Sequence, residues 1–241
     1  MKILVVNPNT TASMTRKIAT AAKAAARSDT QIIATNSQNG PASIQGYLDI
    51  AECIPGLIAE VKQHPDVDAI VIACFDDTGL DAVRCLVDVP VIGIGEAAYH
   101  AASMIAARFS VITTLSRSVS GLETNLTRYG LASRCAKVRA TDIPVLQLER
   151  GDVATIDKIR QEIKSAINED KAEAIVLGCA GMTDLMDQLA KEFGLPVVDG
   201  VACAVTLVEA LVAAGLKTSK LGTYASPEFV LSDEQNSSLA I

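Results

Sequence analysis

Two apolar runs match each other across the chain, and each ends on a cysteine. Ala69-Ile70-Val71-Ile72-Ala73-Cys74 and Ala174-Ile175-Val176-Leu177-Gly178-Cys179 lie 105 residues apart, 74 to 179. Both runs are continuously apolar rather than alternating, the pattern of a strand covered on both faces. The correspondence extends further. Val89-Pro90-Val91-Ile92-Gly93 is echoed by Leu195-Pro196-Val197-Val198-Asp199, and Ile3-Leu4-Val5-Val6-Asn7 by Ser110-Val111-Ile112-Thr113-Thr114. Such a repeat restricts the chain to two similar halves related by a pseudo-two-fold axis, with one cysteine at a matched strand end in each.

The remaining strand candidates are 31–35, 109–113 and 137–140. Helical patterns fall between the strands at 11–27, 43–63, 97–106, 117–129, 153–168 and 201–214. Strand–helix alternation predicts an α/β fold with parallel sheets, four strands to each lobe. The first lobe is placed at 1–95 together with a returning C-terminal helix at about 207–225, the second at 96–206, and a polar tail at 226–241. A net charge of −7 without a basic cluster argues against nucleic acid or anionic membrane as a partner. With 3% aromatic residues and no Trp, a base-stacking platform is not expected. Met1–Val6 is too short for the apolar core of a secretory leader, and Val201–Leu216, interrupted by Glu209, is too short for a membrane span. The six cysteines show no C-x-x-C spacing, so zinc and redox motifs are weak readings. A cytoplasmic protein with free thiols is expected.

In open α/β sheets, ligands bind beyond the carboxyl ends of the strands. The loops there contain Asn7-Pro8-Asn9-Thr10, Gly40-Pro41-Ala42-Ser43, Cys74-Phe75-Asp76-Asp77, Thr113-Thr114 and Cys179-Ala180-Gly181. Cys74 and Cys179 stand out because two thiols facing each other across a substrate can remove a proton from one face of a carbon and return one to the other. Each cysteine is expected just before a helix, whose N-terminal N–H groups would favour the thiolate. Asp76 and Asp77 either contact substrate or cap the helix starting near Leu80, and a carboxylate so close would raise the thiol pKa. Cys53, Cys85, Cys135 and Cys203 read as structural. His64 and His100 do not follow strands, so a Cys–His hydrolase dyad has no local support. Gly93-Ile94-Gly95-Glu96-Ala97-Ala98 fits a loose G-x-G-x-x-A, but on the fourth strand rather than the first, which makes it weak evidence for a dinucleotide site.

Together these motifs resemble the aspartate/glutamate racemase superfamily, and within it the hydantoin racemases, with allantoin racemases close by. The resemblance rests on Asn7-Pro8-Asn9-Thr10 with Ser13-Met14, on Gly40-Pro41-Ala42-Ser43-Ile44, on Ala73–Ala82, on Thr113–Val119 and on Leu177–Met182, and reaches about Ala225. It implies two flavodoxin-like lobes with the active site between them, Cys74 and Cys179 as acid and base, no cofactor or metal, and a homo-oligomer. It also implies substrate contacts from Asn9, Ser43, Phe75, Asp76, Thr114, Ala180 and Gly181. Amino-acid racemases of the superfamily carry Cys-Asn-Thr and Cys-Thr-His where this chain has Cys-Phe-Asp and Cys-Ala-Gly. The change speaks against an amino-acid substrate and for an uncharged ring such as a 5-monosubstituted hydantoin. Gln45 and Ser116 also depart from the motif, which carries Glu and Pro there. Arylmalonate decarboxylase-like and maleate isomerase-like enzymes, and a two-lobed ligand-binding protein, are the competing readings.

Overall fold

The computed structural model describes residues 1–148 and 151–226; the tail placed at 226–241 lies, from 227 onward, outside the described residues. Strands β1 (Lys2–Asn7), β2 (Gln31–Asn36), β3 (Ala69–Ile72) and β4 (Val91–Gly93) form one parallel sheet in the order β2-β1-β3-β4. Strands β5 (Phe109–Thr113), β6 (Cys135–Ala140), β7 (Ala174–Leu177) and β8 (Val197–Val198) form a second in the order β6-β5-β7-β8. The strand permutation is the same in both, so the chain adopts the expected α/β architecture of two four-stranded parallel sheets. Helices α1 (Ala12–Ala25), α2 (Tyr47–Lys62), α3 (Leu80–Leu86) and α4 (Ile94–Ile105) accompany the first sheet. Helices α5 (Ser116–Arg128), α6 (Val145–Leu148), α7 (Val153–Asn168) and α8 (Met186–Phe193) accompany the second, and α9 (Gly200–Ala213) follows β8.

The continuous apolar runs are divided by the two-residue period of a strand, which sends successive side chains to opposite faces. In the first sheet Leu4, Val6, Ile70 and Ile72 point to one face, where Leu57 and Val61 of α2 and Leu80 and Val83 of α3 cover them. In the second, Ile112, Ile175 and Leu177 are covered by Ile159 and Ile163 of α7 and Leu189 of α8. The alternate residues of both sheets meet in one shared core. Ile3, Val5 and Val71 join Phe109, Val111 and Val176 there, with Val201, Val205 and Val208 of α9 between them. Helix α9 packs on α1, α4 and β3, so the last helix of the second half lies against the first sheet. Tyr99 of α4 is fully buried, 5.3 Å edge-on from Phe75 and 6.3 Å from Phe109, an aromatic link from one sheet to the other. Each such aromatic or aliphatic side chain contributes about 1.5–3 kcal/mol on burial, so the two lobes share a core rather than touching at a polar seam. Among the described residues no helix is long and apolar enough to cross a membrane.

Candidate active site

Strands β3 and β7 are interior strands of their sheets, and their carboxyl ends face one cavity. Cys74 follows the last residue of β3, Ile72, by the same interval as Cys179 follows the last residue of β7, Leu177. Both cysteines line this cavity, together with Asn9, Phe75, Asp76, Thr114 and Ala180. Ser43 and Gly181 are not part of its lining. Ile44, beside Ser43, takes the position on the wall, and the Gly181 N–H lies 3.4 Å from the Cys179 sulfur, to which it donates. Neither His64 nor His100 reaches the cavity; His64 lies 3.5 Å from Glu60 on the outside of α2. Gly178 lets β7 approach β5 closely, because a Cβ there would sit 2.9 Å from the Ile112 carbonyl oxygen and 3.1 Å from Thr113 Cα.

Several wall residues had no separate signal in the sequence. Met14 and Ile44 belong to the quoted motifs, as does Thr78, which lies outside the lining and donates from its Oγ1 to the Cys74 sulfur at 3.7 Å. Ser118 of α5 lies in the quoted Thr113–Val119 motif, whereas Val145 of α6 is brought in by packing alone. Gln45 joins the halves over the cavity: its side-chain oxygen accepts from the Val145 N–H at 3.0 Å, and its carbonyl accepts from the Ser118 hydroxyl at 3.4 Å.

The acidic pair divides its work. Asp77, buried and left-handed at φ 52°, turns its carboxylate onto the start of α4. It accepts from the Gly95 N–H at 2.9 Å, the Glu96 N–H at 2.7 Å and the Tyr129 hydroxyl at 2.7 Å. The expectation that it caps the helix starting at Leu80 is therefore corrected: Gly79 precedes α3 with no side-chain cap, and Asp77 caps α4 instead. The same contact explains the G-x-G-x-x-A pattern. A Cβ on Gly93 would fall 1.9 Å from Asp77 Oδ1, and one on Gly95 2.3 Å from the Phe75 carbonyl oxygen. The anion site that a helix N-terminus offers is filled by the chain itself. In the second half the equivalent cap is local, with Asp199, the counterpart of Gly93, accepting from the N–H groups of Val201 at 3.3 Å and Ala202 at 2.9 Å.

Asp76 lines the cavity, and among the described residues no hydrogen bond reaches its carboxylate; its backbone carbonyl accepts from Asn125 of α5 at 2.9 Å. Burial pushes its carboxyl up to about 6. The thiols also go up, contrary to the helix-terminus expectation. Burial holds Cys74 well above its ordinary value, and the Asp76 carboxylate adds repulsion. Burial likewise raises Cys179, to about 11, while the Gly181 N–H and the Lys17 cation pull it down. At Cys74 the reason is geometric: α3 begins only at Leu80, too far along the chain for its terminus to act. At Cys179 a 3-10 turn does begin at Ala180, as expected, but the Gly181 N–H it offers does not offset burial. Water exclusion outweighs the few donors present.

An Asp76→Asn variant tests this electrostatic reading. A carboxyl held at about 6 in the folded chain, against an ordinary 3.8, keeps its proton where the unfolded chain has lost it. Folding stability attributable to Asp76 is therefore full below pH 4 and declines as pH rises from 4 to 6. Asp76→Asn is expected to be more stable than the parent by about 1–3 kcal/mol at pH 8 and no different below pH 4. Removing the charge also lowers both thiols, so the rising acid limb of activity should move to lower pH. Urea denaturation at pH 4 and pH 8 with a pH–rate profile measures both; equal stability at the two pH values would contradict it.

Residues 3–208 match the family model described as Asp/Glu/Hydantoin racemase. The chain is 52% identical over 230 residues to a hydantoin racemase of Pseudomonas sp. (strain NS671), covering 95% of this chain and 92% of that protein. It is 50% identical to a hydantoin racemase of Rhizobium meliloti, covering 94% and 95%. Among solved structures it is similar to an allantoin racemase from Klebsiella pneumoniae, with a TM-score of 0.92 and 45% identity over 95% of this chain and 94% of that one.

Proposed function

Because the chain belongs to the Asp/Glu/hydantoin racemase family and is an isomerase of the racemase type, we propose that it racemises 5-monosubstituted hydantoins by moving a proton between Cys74 and Cys179 through C5 of the ring. The observation that carries this is the placement of both thiols, from matched strand ends, on the wall of one cavity. C5–H lies next to a ring carbonyl, so its removal yields an enolate. One cysteine acts as thiolate and takes the proton; the other gives its own to the opposite face; the reverse direction exchanges their roles. Cys179, with its N–H donor and the nearby cation, is the thiol whose surroundings favour the thiolate more. Raised thiol pKa values make thiolate scarcer but a stronger base, and each unit of mismatch with the carbon acid that is removed saves about 1.4 kcal/mol in the transfer.

The N–H groups of Phe75 and Ala180, each one residue past a cysteine, find no acceptor among the described residues and suit the developing enolate oxygen or the second ring carbonyl. The unpaired Asp76 carboxylate suits a ring N–H. Asn9 and Thr114 complete a polar rim, while Phe75 and Ala180 give apolar contact. Ser43 and Gly181 act from behind the wall, Ser43 by placing Ile44 and Gly181 through the Cys179 sulfur. The chemistry needs only these groups. The cavity measures about 40 Å³, room for about three waters and less than a hydantoin ring needs, and the Gln45 contacts join the two halves beside it.

Allantoin, itself a 5-substituted hydantoin, is the second reading, favoured by the 45% identity to the Klebsiella enzyme. Polarimetry with L-5-benzylhydantoin and with allantoin, in heavy water, is expected to show decay of rotation with deuterium appearing at C5. Unchanged rotation with both compounds would sink the functional reading; faster decay with allantoin would select the second.

A further inference from the structure

We propose that a groove between the start of α2 and the outer face of α5 is the subsite for the C5 substituent, and that it takes bulky apolar, above all flat aromatic, side chains. This rests on the hydantoin reading above. The groove has a volume of about 260 Å³, against about 40 Å³ for the cysteine cavity, so a ring seated between the thiols leaves no room there for its substituent. The two spaces adjoin, since Asp76 and Ser118 line both. Three larger hollows, about 500 Å³ beside α1, about 650 Å³ below α2 and α3, and about 590 Å³ along 41–49 where Tyr47 is again a wall, share no residue with the cysteine cavity.

The walls fit the occupant. Tyr47 and Ile50 come from the first turn of α2, and Gly121 from the middle of α5. Tyr47 lines the groove and yet is 70% exposed, an aromatic face with nothing among the described residues laid across it. A Cβ added at Gly121 would meet nothing within 4 Å. A glycine in mid-helix carries a propensity penalty, which here leaves open the space a substituent would fill. Asp76 at the inner end and Arg117 on the wall set opposite charges in the groove, so its net charge does not select a charged substituent.

The test uses Gly121→Ala and Gly121→Leu in the full chain. Both residues favour helix over glycine, and neither side chain starts in a clash, so folding is checked by comparing melting curves with the parent. The readout is kcat/KM on 5-benzylhydantoin relative to 5-methylhydantoin. The expected result is a fall in that ratio of tenfold or more for Gly121→Leu and a smaller fall for Gly121→Ala. A ratio within twofold of the parent for both variants, or an equal loss on both substrates, overturns the subsite while leaving the racemase reading standing. A parent chain inactive on both hydantoins overturns the functional reading and the subsite with it.

Discussion

Replacing Cys74 or Cys179 by Ser is expected to cut racemisation of a 5-monosubstituted hydantoin by roughly 10²–10⁴-fold, the usual range for loss of a positioned acid–base group. A serine hydroxyl keeps the size and the hydrogen bonds but hardly ionises in a site already closed to water. The two variants are not expected to fail alike. In each, the surviving thiol still faces one side of C5, so proton exchange with solvent should persist for one enantiomer and vanish for the other, with the preference reversed between Cys74→Ser and Cys179→Ser. Following deuterium at C5 by NMR for each pure enantiomer separates the cases. Normal racemisation by either variant would rule out the two-thiol mechanism; identical one-sided exchange by both would mean that the sulfurs do not flank the carbon from opposite sides.

Removing the Asp77 carboxylate is expected to cost about 3–5 kcal/mol of stability. Asp77→Ala leaves three buried or half-buried donors without an acceptor, the N–H groups of Gly95 and Glu96 and the Tyr129 hydroxyl, at about 1–3 kcal/mol for each group left unsatisfied. That is a large share of the about 5–15 kcal/mol that holds a typical chain folded. The turn that holds Cys74 keeps its backbone bond in the variant, since the residue 77 N–H that donates to the Cys74 carbonyl at 3.0 Å is unchanged by the substitution. The pseudo-symmetry supplies a rescue. Gly93 is the counterpart of Asp199, the local cap of α9, and its backbone, at φ −87° and ψ 149°, is already that of an N-cap. Gly93→Asp clashes with Asp77 in the parent, but combined with Asp77→Ala it should recover part of the lost stability. Urea denaturation of the single and double variants measures this. A loss below about 1 kcal/mol for Asp77→Ala, or no recovery in the double variant, would show that the α4 cap matters little.

The repeat made much of this legible before any coordinates. Continuous apolar runs specify parallel strands covered on both faces, and matched runs in both halves specify the same strand order twice. Position at the strand end then brought Cys74 and Cys179 forward without reference to contacts. The sequence signal was weakest where a residue acts through another lobe. Val145 lies in a short helix without long periodicity and is not marked as a wall residue until α6 reaches the cavity, where its N–H donates to Gln45 of the first half.

Local covalent order determined the two-lobed α/β architecture, the pairing of the thiols by symmetry and the apolar character of the strands, because side-chain periodicity along a strand is a property of neighbours in sequence. Only the tertiary structure decided the protonation balance of the site and the partner of each carboxylate. Burial sets the thiol pKa values against the expectation drawn from helix ends, and it depends on what packs over a group from distant parts of the chain. Asp76 and Asp77 are chemically identical neighbours; one lies on the wall of the cysteine cavity and the other caps α4, because the left-handed backbone of Asp77 points its side chain at a different part of the fold.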